Sequence, residues 1–296
     1  MMGPANDIVH RFAHEAMGTT FEVMIADADE EYAGQVSQAV FREIDRLEAL
    51  FSRFNACSEI GQINQLKPGE SRRIGFETYD CLKTAGQIGT ETGGAFDINF
   101  RSSIKGKAFE IFRAQTGFGL KIQETSRLPN MRSVDLDLGA IGKGYALDRT
   151  RAIFSDWGVE RALIHGGTST ALALGSAPGL NSGEMGWPVG VGGVWTLPGA
   201  PNRVLLKERA LSGSGTEAKG RHIQDPRTGR PSENALAAWV SHPRAAAADA
   251  LSTAFMVMSP EDVHAYCERH PEVWALLILD QNTYQIFNKE IFGQHL

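Results

Sequence analysis

Cysteine is scarce in this chain: Cys57, Cys81 and Cys267 are the three among 296 residues. None forms a CxxC pair or a metal-ligand spacing, which excludes a disulfide scaffold or a zinc module. The reading is of reduced, buried thiols in a reducing compartment. Long apolar runs are also missing. The longest, Val273 to Leu279, has the length of a buried strand and falls far short of the roughly 20 residues that cross a bilayer. No basic block occurs, and 29 Lys and Arg against 35 Asp and Glu leave a net charge of −6. That balance argues against nucleic acid as a partner. The first residues carry Asp7, His10 and Arg11 in place of an apolar signal core. The expectation is therefore a cytoplasmic protein with no membrane span and no leader or lipoprotein signal. No internal repeat or low-complexity linker divides the chain, so it reads as one domain over 1–296.

What is present is ordinary for a globular enzyme: 42% hydrophobic and 22% charged residues. Glu30 to Phe51 carries Ala33, Val36, Val40, Ile44, Leu47 and Phe51 at helical spacing, with acidic residues at its start. Further helices are predicted over Phe76 to Glu91, Lys143 to Trp157, Ala245 to Met258 and Glu261 to Arg269. Strands are predicted at Phe21 to Ala26, Val134 to Leu138, Arg161 to His165, Thr170 to Leu174, Arg203 to Lys207 and Ala235 to Val240. Val273 to Leu279 and Tyr284 to Asn288 read as a closing hairpin. The glycine- and proline-rich stretch from Gly175 to Pro201 reads as loop or short edge strands. This is not a regular βαβ alternation, so mixed sheets with packed helices, an α+β class, fit better than a doubly wound sheet.

The familiar phosphate signatures fail: there is no GxxxxGK[ST], and no glycine pair completes a GxGxxG between strand and helix. Asp249 and Thr253, four apart in the Ala-rich helix, share one face and offer two hard oxygens suited to Mg²⁺. The same spacing also describes a polar stripe on a surface helix. The segment from Val134 to Tyr145 runs through a glycine-punctuated turn into a helix, flanked by Asp137 and Lys143. It serves equally as a ligand-facing corner or a plain turn. Asp225 to Gly229 fits a type I turn, and His222 ahead of it is a candidate proton acceptor near neutral pH.

Taken in order, Met17-Gly18-Thr19, Ser52-Arg53-Phe54-Asn55 with Ser58-Glu59-Ile60 and Asn64, Gly94-Ala95-Phe96-Asp97, Asp137 through Tyr145, His222 through Gly229, and Ala248 through Ala254 resemble the motifs of the ApbE family. These are FAD:protein FMN transferases. The resemblance implies a tunnelling-fold α+β architecture with mixed and antiparallel sheets and a cleft between two lobes. It implies Mg²⁺-dependent transfer of FMN from FAD to a Ser or Thr hydroxyl of an acceptor protein, releasing AMP. The same centre acting on water would be an FAD pyrophosphatase, and a pocket without chemistry would be a flavin-binding protein. By resemblance Ala140, Asp249 and Thr253 hold the metal, and His222 is the catalytic base. Met17, Phe54, Ala95, Phe96, Asp97, Asp137, Lys143 and Ile223 line the FAD site. Three segments depart from the family pattern: Ile98-Asn99-Phe100-Arg101, Gly166-Gly167-Thr168 and Ser212-Gly213-Ser214-Gly215-Thr216.

Overall fold

A computed structural model describes residues 8–102, 108–123, 134–180, 184–195, 197–216 and 223–293. The chain opens with a hairpin of β1 (Val9–Ala16) and β2 (Thr19–Ala26), then enters α1 (Glu30–Phe51) and the short α2 (Glu59–Ile63). β3 (Ser71–Ile74), α3 (Phe76–Glu91), β4 (Phe109–Ala114) and β5 (Gly117–Ile122) follow. Next come α4 (Gly142–Asp156), β6 (Ala162–Gly166), β7 (Thr170–Leu174), β8 (Trp187–Gly190), β9 (Arg203–Leu206), β10 (Ala210–Gly215) and β11 (Ala237–His242). The last elements are α5 (Ala245–Val257), α6 (Pro260–Arg269), β12 (Trp274–Ile278) and β13 (Tyr284–Phe287).

Eight strands form the main sheet in the order β1-β2-β6-β7-β10-β11-β12-β13. Every neighbouring pair in it is antiparallel. One face is covered by α1, α4 and α5. α1 buries Ala33, Val36, Val40, Ile44, Leu47 and Phe51, the residues its periodicity singles out. α5 is almost wholly buried, which its run of small alanines permits at close range to β10 and β11. The opposite face is capped by the β8–β9 hairpin, whose Trp187, Val189, Val204 and Leu206 pack on Leu163, Ala173, Leu211 and Leu276. A separate sheet, β3-β5-β4, packs against α3. The architecture is α+β, as expected.

Several sequence expectations need correction. Val134 to Leu138 belongs to no sheet. Its alternation is real, with Val134, Leu136 and Leu138 buried, but side chains rather than a neighbouring strand satisfy much of its backbone. Cys57 is exposed, whereas Cys81 and Cys267 are buried as expected; burial pushes the Cys267 thiol up to about 12. The stretch from Gly175 to Pro201, read as loop or short edge strands, does contain a short strand, β8, paired to β9. β1 and β10 were not predicted, the first because half of its residues are charged or histidine and do not alternate strictly with the apolar ones, and the second because Gly213 and Gly215 dilute its strand character. Among the described residues no helix is long and apolar enough to cross a membrane.

Candidate functional site

A cleft of ≈ 610 Å³ opens between the end of the main sheet and the loops before α4. That volume lies in the usual range for small-molecule and cofactor sites. Met17, Ala95, Phe96, Asp97, Asp137, Ala140, Lys143, Ile223, Asp249 and Thr253 all line it. Residues from five distant stretches of sequence thus meet on one surface. Phe54 does not line the cleft; it is 88% exposed, with the Arg53 guanidinium 5.1 Å from its ring centroid. His222 lies outside the described residues.

Each wall has a local cause. Met17 and Gly18 form the two-residue turn between β1 and β2, with φ of 49° and 71°. Tight antiparallel hairpins favour two positive φ values because their twist matches that of the strands. Ala95 and Phe96 follow α3, which ends at the left-handed Gly93 and Gly94. Asp137 is set by a side-chain turn: its Oδ1 accepts the Gly139 N–H at 2.9 Å, and its own N–H donates to the Ile98 carbonyl at 2.8 Å. Arg53 approaches Asp137 at 3.4 Å and Asp135 at 3.6 Å.

Asp249 is only 4% exposed, yet it borders the cleft. The Gly144 N–H donates to its Oδ2 at 3.0 Å, and the Thr170 and Ser212 hydroxyls approach Oδ1 at 3.3 Å and 3.2 Å. Gly144 stands in the first turn of α4, where backbone N–H groups have no helical partner. In a continued helix its N–H would bond to the Ala140 carbonyl, four residues back. Because it turns to Asp249, the Ala140 carbonyl receives no hydrogen bond from any described residue. Asp249, Thr253 and Ala140, whose carbonyl no described residue bonds, therefore line one cavity.

That donor set fits a hard divalent cation. Mg²⁺ takes a few protein oxygens and completes its shell with water and phosphate. Among the described residues no three His, Cys, Asp or Glu side chains cluster as a metal site, and a centre with one carboxylate is not such a cluster. Lys143 adds a positive charge at the same wall, its Nζ 3.4 Å from the Gly139 carbonyl. Asp148 fastens α4 to α5 from behind, accepting the N–H groups of Ala245 and Ala246 at 2.7 and 3.0 Å. Burial raises the Asp148 carboxyl above its ordinary range, and those two N–H donors oppose the rise.

Thr168, Gly213 and Ser214, from two of the segments that depart from the family pattern, also line the cleft, as do Ser169 and Trp239, which sequence reasoning missed. The Trp239 indole lies directly against Gly213, where a Cβ would come within 2.7 Å of Nε1. Nothing in the local sequence flags that contact, because it joins neighbouring strands.

The fold and the cleft together define an α+β protein with an oxygen-rich, ligand-sized site at one end of an antiparallel sheet. The ApbE family model matches residues 17–277, and the chain belongs to the ApbE family. The FAD:protein FMN transferase of Escherichia coli K12 is 25% identical over 277 residues, covering 83% of this chain and 78% of that protein. The Salmonella typhimurium protein of the same name is 24% identical over 285 residues, 86% and 80% of the two chains. The apo crystal structure of Pseudomonas stutzeri flavinyl transferase ApbE superposes with a TM-score of 0.77 at 21% identity, over 99% of this chain and 100% of that one. The ApbE protein of Thermotoga maritima gives 0.77 at 22% identity, over 97% and 100%.

Proposed function

We propose that this chain is an FAD:protein FMN transferase: it binds FAD in the cleft and moves the FMN moiety to a Ser or Thr hydroxyl of an acceptor protein. The observation that carries the reading is the convergence of Asp249, Thr253 and Ala140, whose carbonyl no described residue bonds, on one cavity in an ApbE-family chain. Those three groups would hold Mg²⁺, which when bound neutralises diphosphate charge and eases departure of the AMP phosphate.

The protein's own residues supply the rest. Lys143 places a compact positive charge where phosphate oxygens enter. Met17, Ala95, Phe96 and Ile223 give apolar surface to a planar ring. His222 takes the proton of the acceptor hydroxyl as its oxygen bonds to the FMN phosphorus. The P–O bond to AMP then breaks, and AMP leaves with the electron pair. Such a positioned base contributes about 10²–10⁴-fold.

Incubation with FAD, Mg²⁺ and a candidate acceptor protein, followed by mass spectrometry, tests the reading. An FMN adduct on a Ser or Thr supports transfer. Free FMN and AMP with unmodified protein would assign an FAD pyrophosphatase, and intact FAD a binding protein. His222→Ala is expected to bind FAD and fail to transfer it.

A further inference from the structure

Strand β10 presents Ser212 and Ser214 on the face that meets α5, and the spacing matches that helix. Two strand residues advance about 6.8 Å, close to the roughly 6 Å between helical positions four apart. Ser212 therefore stands against Asp249 at 3.2 Å, and Ser214 against Thr253 at 3.3 Å. Thr170, next to Ser212 across the β7–β10 pairing, adds a second hydroxyl 3.3 Å from Asp249. Thr170 and Ser212 are 2% and 0% exposed, so no bulk water replaces them.

Each hydroxyl has one proton to donate, and the Thr170 and Ser212 hydroxyls also meet each other at 3.0 Å, so one of the pair can donate to its neighbour while the other donates to Asp249. The contacts allow two relays, and in the one that leaves Thr253 able to bind a cation Ser252 donates its proton to the backbone carbonyl of Asp249, at 2.9 Å. The 2.9 Å contact between Ser214 and Ser252 then runs from the Ser214 O–H to Ser252 Oγ. Ser214 Oγ is left to accept the Thr253 O–H at 3.3 Å. In that arrangement the relay draws the Thr253 proton away and leaves its oxygen as an acceptor. At Asp249, Oδ1 faces two hydroxyls while Oδ2 has the single Gly144 N–H, so Oδ2 keeps accepting capacity.

We propose that Thr170, Ser212 and Ser214 are positioning residues for a divalent cation. Thr170 and Ser212 orient the Asp249 carboxylate, and Ser214 orients the Thr253 hydroxyl with its lone pairs available. The proposal rests on the cation reading of this cleft. Partners behind metal ligands commonly carry about 10–100-fold of metal affinity.

The test is a Mn²⁺ titration, followed by the electron paramagnetic resonance of the free ion, on wild type, Thr170→Val, Ser212→Ala, Ser214→Ala and the conservative Thr170→Ser, each with saturating FAD. Melting temperatures are taken on the same samples without metal. The expected result is Mn²⁺ binding weakened about tenfold or more in the first three variants and retained in Thr170→Ser. The Mg²⁺ needed for half-maximal AMP release is expected to rise in parallel, with kcat at saturating Mg²⁺ less affected. Wild-type Mn²⁺ affinity in Thr170→Val, Ser212→Ala and Ser214→Ala, with or without a lowered melting temperature, would reduce the three hydroxyls to structural fastenings. A wild-type protein that binds no Mn²⁺ would remove the cation reading itself, and this proposal with it.

Discussion

Gly144 of α4 donates its N–H to Asp249 Oδ2 of α5 at 3.0 Å, and a Cβ at residue 144 would lie 2.2 Å from the Ala245 carbonyl oxygen and 2.8 Å from Asp249 Cβ. The glycine thus does two things at once. It lets the two helices touch, and it releases the Ala140 carbonyl toward the cleft. Gly144→Ala forces the backbones apart. Overpacking of this kind costs about 1–3 kcal/mol, so the melting temperature is expected to fall and AMP release from FAD to fall with it. Thermal melts and a single-turnover assay check this; an unshifted melt with full activity would show that the helices separate at no cost.

Asn64 clasps the extended segment that carries Asp137. Its Oδ1 accepts the Leu136 N–H at 2.7 Å and its Nδ2 donates to the Leu136 carbonyl at 3.0 Å, all buried. Asn64→Leu leaves two backbone groups without partners, which costs about 2–4 kcal/mol. Urea unfolding is expected to show that loss, and FAD titration a weakened affinity, since Asp137 is the next residue along.

The same segment shows how far the sequence could be read. The helices α1 and α3 were legible to the residue because their apolar positions repeat every three to four residues and helix ends are locally coded. The alternation of Val134, Leu136 and Leu138 was equally visible, but alternation records burial and not a partner strand. Most of the cleft was legible only through the ordered motifs, since Met17, Ala95, Asp137 and Thr253 have no local feature that joins them. The supports of Asp249 were not legible at all. Thr170, Ser212 and Gly144 are ordinary residues of their own elements, and only the crossing of β7, β10, α4 and α5 brings them to one carboxylate.

Met17 holds φ at 49°, a region in which a Cβ costs about 1–2 kcal/mol and which Asn tolerates better. Met17→Asn is therefore expected to raise stability by up to about 1 kcal/mol while weakening FAD binding through loss of an apolar wall. Denaturant unfolding and equilibrium dialysis measure the two effects separately. A variant that is both less stable and equally tight in binding would contradict the account of this turn.

His242 precedes α5, and burial pushes its imidazole down to about 4, opposed by the Arg244 carbonyl 3.2 Å from Nδ1 and then by Glu272 at 4.0 Å. The Arg244 N–H donates to its Nδ1 at 2.8 Å, a bond that requires that nitrogen unprotonated. In the unfolded chain the ring titrates near 6.5. The neutral ring thus stabilises the fold fully above about pH 6.5, and that contribution is lost as pH falls toward 4, roughly 3 kcal/mol in all. His242→Asn keeps an acceptor and removes the titration. Unfolding free energies at pH 7.5 and 4.5 should show the wild type losing more stability than the variant; equal losses would exclude His242 as the cause.

The most direct test of the central claim is AMP release from FAD in the presence of an acceptor protein as a function of Mg²⁺, compared between wild type and Asp249→Asn, with FAD binding measured on both. The account predicts Mg²⁺-dependent release in the wild type that EDTA abolishes. For the variant it predicts retained FAD binding with release slowed about a hundredfold or more at any Mg²⁺ concentration. Release by Asp249→Asn at the wild-type rate, or release by either protein in EDTA, would contradict it.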